Sequence, residues 1–141
     1  MTDFLTEALG RLVVGSVALT ARAIAAADAD LTFIQWRVLL VAGEREGGMA
    51  VGEIASRIGA HPSPASRVVS RLRRRGLLRA TRDRADARVV CIRLTDAGRD
   101  LRDRVLGLRS RDLAAVLGSA SLSPYEIDGI ARLARSFERF T

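Results

Sequence analysis

The chain has no lysine, a single cysteine (Cys91), a single histidine (His61) and three prolines in 141 residues, and only 4% of its residues are aromatic. Each shortage excludes something. One cysteine cannot close a disulfide within the chain or build a multi-cysteine metal site, and one histidine beside it gives no expectation of zinc. Few rings leave little with which to stack single-stranded bases. The hydrophobic fraction of 48% must therefore make an aliphatic, alanine-rich core. The longest uncharged run near the N-terminus, Leu12 to Ala21, is too short to span a bilayer. Asp3 and Glu7 stand where a secretory leader would be positive. These features predict a soluble cytoplasmic protein that does not engage a membrane, built as one domain or one domain with an attached helical part. There is no glycine-rich phosphate loop, no recognisable carboxylate pair and no Ser-His-Asp order. No enzyme, metal or cofactor is expected.

What the chain has is arginine. All 23 of its basic residues are arginines, set against 16 acids for a net charge of +7. Genome nucleotide bias is the simplest reason for an all-arginine composition, so the argument rests on location. Between Arg57 and Arg93 there are eleven arginines and two acids, Asp83 and Asp86, while the rest of the chain is slightly negative. A local basic face points to a phosphate backbone as partner. Guanidinium groups suit both phosphate and guanine.

The basic window falls on a helix, turn, helix, hairpin pattern. Residues 2 to about 27 carry apolar or small residues at Leu5, Leu9, Leu12, Ser16, Leu19, Ala23 and Ala26, a helical stripe widened by Val13, Val14 and Val17. A helix apolar over so much of its surface needs more than one neighbour, so core packing and a subunit interface are both expected, on different faces. Thr32 is placed to cap a helix from Phe33 to about Glu44, ended by Gly47-Gly48, with Trp36, Leu39 and Leu40 inward. A short helix follows from Val51 to about Ile58, and Gly59 suits the left-handed turn after it. Pro62 and Pro64 fit the first turn of the next helix, which runs to about Arg75 before Gly76. Ala65, Val68, Val69 and Leu72 point inward on that helix. Ser63, Ser66, Arg67, Ser70, Arg73 and Arg74 are left outside, with Arg71 at the flank. This is the helix-turn-helix layout.

Leu77–Thr81 and Arg88–Leu94 read as two strands around a polar tip, a hairpin wing in which Val90 and Ile92 alternate with Cys91 and Arg93. Thr95 then caps a long helix to about Gly118, with Leu101, Val105, Leu108, Leu113, Val116 and Leu117 along one side. Ser123, Pro124 and Glu126 open a last helix with capping-box spacing, and Ile127, Ile130, Leu133, Ala134, Phe137 and Phe140 form its stripe. The acids Asp96, Asp100 and Asp103 alternate with Arg99, Arg102 and Arg104, as on a solvated helix face. The fold class is mainly α with a small β-hairpin wing: a winged helix-turn-helix over residues 31–95, between an N-terminal helix (1–30) and C-terminal helices (96–141), whose dimerisation role rests on the resemblance that follows.

The strings LTFIQWRVLL (31–40), VGEIASRIG (51–59), PSPASRVVSRLRRRGLLRA (62–80) and DRADARVVCIRLTDAG (83–98) resemble the MarR family of bacterial winged-helix transcription regulators. The flanking helices resemble it in position and character. The resemblance implies an obligate homodimer formed by the terminal helices. Each subunit presents its second helix to the major groove and its wing to the adjacent minor groove of a palindromic site. It further implies, as a possible regulator, a small-molecule effector in a cleft between the dimer part and the DNA-binding lobe. Ser66, Arg67 and Arg71 match the family's Ser-Arg and following Arg. Asp86 and Arg88 match an Asp-x-Arg pair at the wing, where the aspartate orients the arginine toward the minor groove, a place of enhanced negative potential. Three positions depart from the family's pattern. Ala87 replaces a frequent wing arginine, so Arg84 is expected to take part of its work. Pro64 replaces a frequent Thr, and His61 stands at a cap position where Ser is common.

The expected DNA-contacting set is thus Ser63, Ser66, Arg67, Ser70, Arg71, Arg73, Arg74, Arg84, Asp86 and Arg88. Arg73 and Arg75 are expected to be phosphate-contacting or surface residues rather than base readers. His61 reads as a cap or surface residue, with a phosphate contact as the alternative. Trp36 reads as core, with a ligand wall as its other role, and Cys91 as sheet packing rather than a redox sensor. The expected function is a sequence-specific double-stranded DNA-binding regulator, most simply a ligand-responsive repressor. The competing expectation is a winged-helix module that binds protein, or DNA without reading its sequence.

Overall fold

Six helices and one two-stranded antiparallel hairpin make up the computed structural model, which describes residues 1–138. Their order is α1 (Thr2–Ala26), α2 (Phe33–Ala42), α3 (Val51–Arg57), α4 (Pro62–Arg74), β1 (Leu78–Arg82), β2 (Val90–Leu94), α5 (Asp96–Ala120) and α6 (Pro124–Glu138). Phe140, expected at the end of the last stripe, lies outside the described residues.

The predicted caps form. The Thr32 hydroxyl accepts from the Gln35 amide at 3.3 Å, and the Gln35 side-chain oxygen accepts from the Thr32 amide at 2.9 Å, a reciprocal capping box that starts α2. Ser123 and Glu126 make the same exchange at α6. Thr95 starts α5 by accepting from the Gly98 amide at 3.0 Å, and its hydroxyl donates to the Gly76 carbonyl at 2.6 Å. The start of α5 is therefore tied to the end of α4. Gly98 sits so close to the Leu77 carbonyl that an added Cβ would collide with it.

One helix end differs from expectation. α2 stops at Ala42, capped by Gly43, rather than running to Glu44. The Gly43 amide reaches the carbonyls of Leu39 and Leu40, and the Glu44 amide reaches Val41, tightening the last turn. Gly47-Gly48 then turn the chain into Met49, which exchanges both backbone hydrogen bonds with Ile92, at 3.1 and 2.7 Å.

The core gathers α2, α3, α4, the hairpin and the first half of α5 around Trp36, Leu39, Met49, Ile54, Leu72, Ile92 and Val105. α1 packs against α5, yet it contributes only Ala23 and Ile24 from its last turn, with Ala27 and Ala29 just beyond. No buried core residue comes from α6 among the described residues. The hairpin registers Leu78 with Leu94, Arg79 with Arg93, and Arg82 with Val90. The alternation in β2 departs from expectation at the tip end: Ile92 and Leu94 are buried, but Val90 is 45% exposed because the ribbon has left the core there. Cys91 is buried on the opposite face.

Candidate nucleic-acid interface

Two left-handed glycine turns set the recognition element. Gly59, at φ 67°, separates α3 from α4, and Gly76, at φ 73°, separates α4 from β1. Between them, Ala65, Val69 and Leu72 are buried at helical spacing and hold α4 against the core. The opposite face follows from the 3.6-residue period. Ser63, Ser66, Arg67, Ser70, Arg71, Arg73 and Arg74 are all exposed. The guanidinium groups of the four arginines on that face make no hydrogen bond or ion pair with any other described residue. His61 holds the N-cap position by backbone geometry alone, with no side-chain cap bond.

The wing tip is braced by its own acids. Asp83 Oδ1 accepts from the amides of Ala85 at 2.8 Å and Asp86 at 3.0 Å. Those amides hold the Asp83 carboxyl below its usual pKa. Arg82 donates to the Ala87 carbonyl at 2.7 Å. Asp86 Oδ1 accepts from the Arg88 backbone amide at 2.9 Å. Asp86 thus fixes the Arg88 main chain and makes no ion pair with its guanidinium. Arg84 and Arg88 stand exposed at the tip, also without partners among the described residues. A groove of about 540 Å³ between α4 and β1, lined by Ser70, Arg73, Arg74 and Arg79, runs beside the helix face.

Other arginines of the basic window are committed inward. Arg75 was expected to be a phosphate or surface residue, but its two terminal nitrogens donate to the carbonyls of Asp30 at 2.8 Å and Ala29 at 2.9 Å. It clamps the end of α4 to the α1–α2 turn, where Asp28 and Asp30 both have positive φ. Arg57 pairs with Glu44 and approaches Glu53. Arg37, outside the basic window, donates to the carbonyls of Ile58 at 2.8 Å and Arg57 at 3.3 Å, so it closes the end of α3. No local sequence signal marks Arg37 or Arg75, because their acceptors lie 20 to 46 residues away.

Cys91 is buried, and burial pushes its thiol pKa up, further from the thiolate that redox sensing needs. Trp36 is 1% exposed and belongs to the core. It does not line the cleft of about 420 Å³ formed by the end of α1, the following turn and Phe33 of α2. Among the described residues no group of His, Cys, Asp and Glu could hold a metal ion.

The geometry matches proteins already known. Residues 29–89 fit the family model described as MarR family. A MarR family protein from Bacillus stearothermophilus superposes with a TM-score of 0.82 at 28% identity, covering 98% of this chain and 93% of that one. Over residues 29–89, and in its fold, the chain is similar to the MarR family. The HTH-type transcriptional regulator TtmR of Methylorubrum extorquens is 42% identical over 76 residues, a stretch spanning 54% of this chain and 38% of TtmR. BpsR of Bordetella bronchiseptica, whose DNA binding is regulated by 6-hydroxynicotinic acid, superposes with a TM-score of 0.67 at 26% identity, over 94% of this chain and 91% of BpsR.

Proposed function

We propose that this chain is a sequence-specific, double-stranded DNA-binding transcription regulator that grips a palindromic operator as a homodimer. One observation carries the reading. Arg67, Arg71, Arg73, Arg74, Arg84 and Arg88 project from α4 and the wing tip with no partner of their own among the described residues. A guanidinium left unpaired by its own fold is available to phosphate or to the O6 and N7 edge of guanine. In this reading Ser63, Ser66, Arg67, Ser70, Arg71 and Arg74 line the major groove, with Arg73 on phosphate. Arg84 and Arg88 reach the minor groove from a tip that Asp83 and Asp86 stiffen. Residues 31–95 form the DNA-binding lobe.

Residues 1–30 and 96–141 supply the dimer. Phe4, Val14 and Tyr125 are each more than 70% exposed, and Leu12, Val116, Leu117, Ile127 and Phe137 are at least half exposed. That much exposed apolar surface supports an interface there. Arg109 of α5 also has its Nε shielded from solvent with no acceptor among the described residues. α1 is long and apolar enough to cross a bilayer, with mean hydropathy 1.5 over its most apolar 18 residues, which the short uncharged run did not suggest. Its last turn is nevertheless core, and the exposed apolar residues are shared over three helices, which a second copy explains and a single span does not.

Regulation is by repression released by a small molecule. The 420 Å³ cleft between α1 and α2 has the size of a ligand pocket, and BpsR supplies a precedent for effector control. A ligand would act by favouring a spacing of the two recognition helices that misfits DNA.

The test is competition for the purified chain between a duplex selected from a random pool and random duplex. The selected sites should be palindromic, with half-sites about one helical turn apart. They should bind at least about 10³-fold more tightly than random sequence. Equal affinity for both would instead favour an architectural or protein-binding module.

A further inference from the structure

A second arginine cluster lies away from the wing tip. A cleft of about 520 Å³ opens between the loop after α2, the base of the hairpin and the first turns of α5. Five arginines line it, Arg45, Arg79, Arg93, Arg99 and Arg102, against one acid, Glu46. We propose that this cleft is a binding site for a small phosphorylated anion, distinct from the outer face of α4 although it shares Arg79 with the groove beside that helix.

The hairpin supplies the strongest argument. Arg79 and Arg93 are direct cross-strand partners, on the second rung from the base of the ribbon. Like charges set opposite each other weaken a ladder. Neither guanidinium is paired with Glu46 or with any other described residue. The fold thus carries an uncompensated repulsion that a bound anion would relieve. The other three arginines are held in place by the protein. Arg102 donates to the Gly43 carbonyl at 3.2 Å and to Asp103 at 2.9 Å. Gly43 admits it: a Cβ there would collide with the Arg102 guanidinium. Arg99 donates to the Leu94 carbonyl at 3.3 Å and pairs with Asp96. Arg45 pairs with Glu53 at 2.9 Å.

The cleft therefore combines two unpaired guanidinium groups with three braced ones. Planar forks of this kind match phosphate oxygens two at a time. Its volume suits a ligand of roughly nucleotide size rather than a single ion. A phosphate group could also come from the DNA backbone, so the experiment separates the two sources.

Pyrophosphate is titrated calorimetrically into the full chain with no DNA present, which keeps this proposal independent of the DNA-binding reading. Wild type should bind it. Arg93→Gln and Arg79→Gln should each weaken binding at least tenfold, while the double variant Arg67→Gln/Arg71→Gln on α4 should stay within twofold of wild type. Without anion, Arg93→Gln should melt no lower than wild type, since the repulsion is gone. Added pyrophosphate should raise the melting temperature of wild type and not of Arg93→Gln. Absence of wild-type binding, equal loss in the α4 variant, or unchanged binding in both hairpin variants would overturn the proposal. So would a wild type that ignores pyrophosphate while Arg93→Gln lowers the salt dependence of DNA binding, because the phosphate would then be DNA's own.

Discussion

Arg74 and Arg75 are adjacent in the chain and belong to two regions with opposite habits. On the outer face of α4 and at the wing tip, guanidinium groups are exposed and find nothing within the chain to bind. At the joints around α4, the same side chain is engaged by groups of the chain itself. Arg75 clamps the α1–α2 turn, Arg37 closes α3, and Arg57 meets Glu44. Net charge does not distinguish the two regions. What separates them is whether backbone carbonyls and acids are positioned to receive the fork. Arginines of the first kind add little to folding and are free for a partner, whereas those of the second are spent on the fold.

The contrast can be pressed hardest on the outer face. Replacing Arg67, Arg71 and Arg74 together by glutamine should cut operator affinity at least about 100-fold, since each good base contact is worth about 1–3 kcal/mol. The melting temperature should not fall. A fall comparable to that of a core variant would erase the distinction. Next in size is a break in the joint that leaves every arginine in place. Gly98→Ala forces a methyl group into the Leu77 carbonyl and should cost roughly 3 kcal/mol of stability. Denaturant unfolding reads this directly, and a loss below about 0.5 kcal/mol would show that the α4–α5 joint is slack.

Arg75→Gln should cost about 1 kcal/mol, the usual net worth of such hydrogen bonds after discounting for partial exposure. An unchanged melting curve would move Arg75 into the first group. The smallest effect concerns the wing tip. The Asp83 carboxyl is held below its ordinary value of 3.8 by the amides of Asp86 and Ala85. A depressed folded pKa means that the tip's order is fully present above the unfolded value and lost as pH falls through the folded one. Amide resonances of Ala85 and Asp86 should therefore shift only below about pH 4. A transition near neutrality would mean that another group braces the tip.

Much of this arrangement is legible in the sequence because its signals are local. Thr32, Thr95 and Ser123 sit within three residues of what they cap. Gly59 and Gly76 mark their own turns, and the 3.6-residue period alone assigns the outer face of α4. The rest depends on distant partners. Gly43, rather than the more conspicuous Gly47-Gly48, ends α2, at a place where Arg102 of α5 packs against it. Arg75 looks like its neighbours until the α1–α2 turn arrives beside it. The Asp86–Arg88 spacing does not say which atoms meet; at two residues' separation the tight turn offers the carboxylate the Arg88 main-chain amide. Val90 alternates correctly with Ile92, and nothing in the strand itself marks where the ribbon leaves the core.

The salt dependence of operator binding for the Arg74→Gln and Arg75→Gln variants, measured by fluorescence anisotropy beside wild type, tests the division most directly. Losing a phosphate or base contact at Arg74 should weaken binding and lower the slope of log affinity against log salt by up to about 1 per site, whereas Arg75→Gln should keep the wild-type slope. Identical slopes in all three proteins, or a larger drop for Arg75→Gln than for Arg74→Gln, would contradict the account.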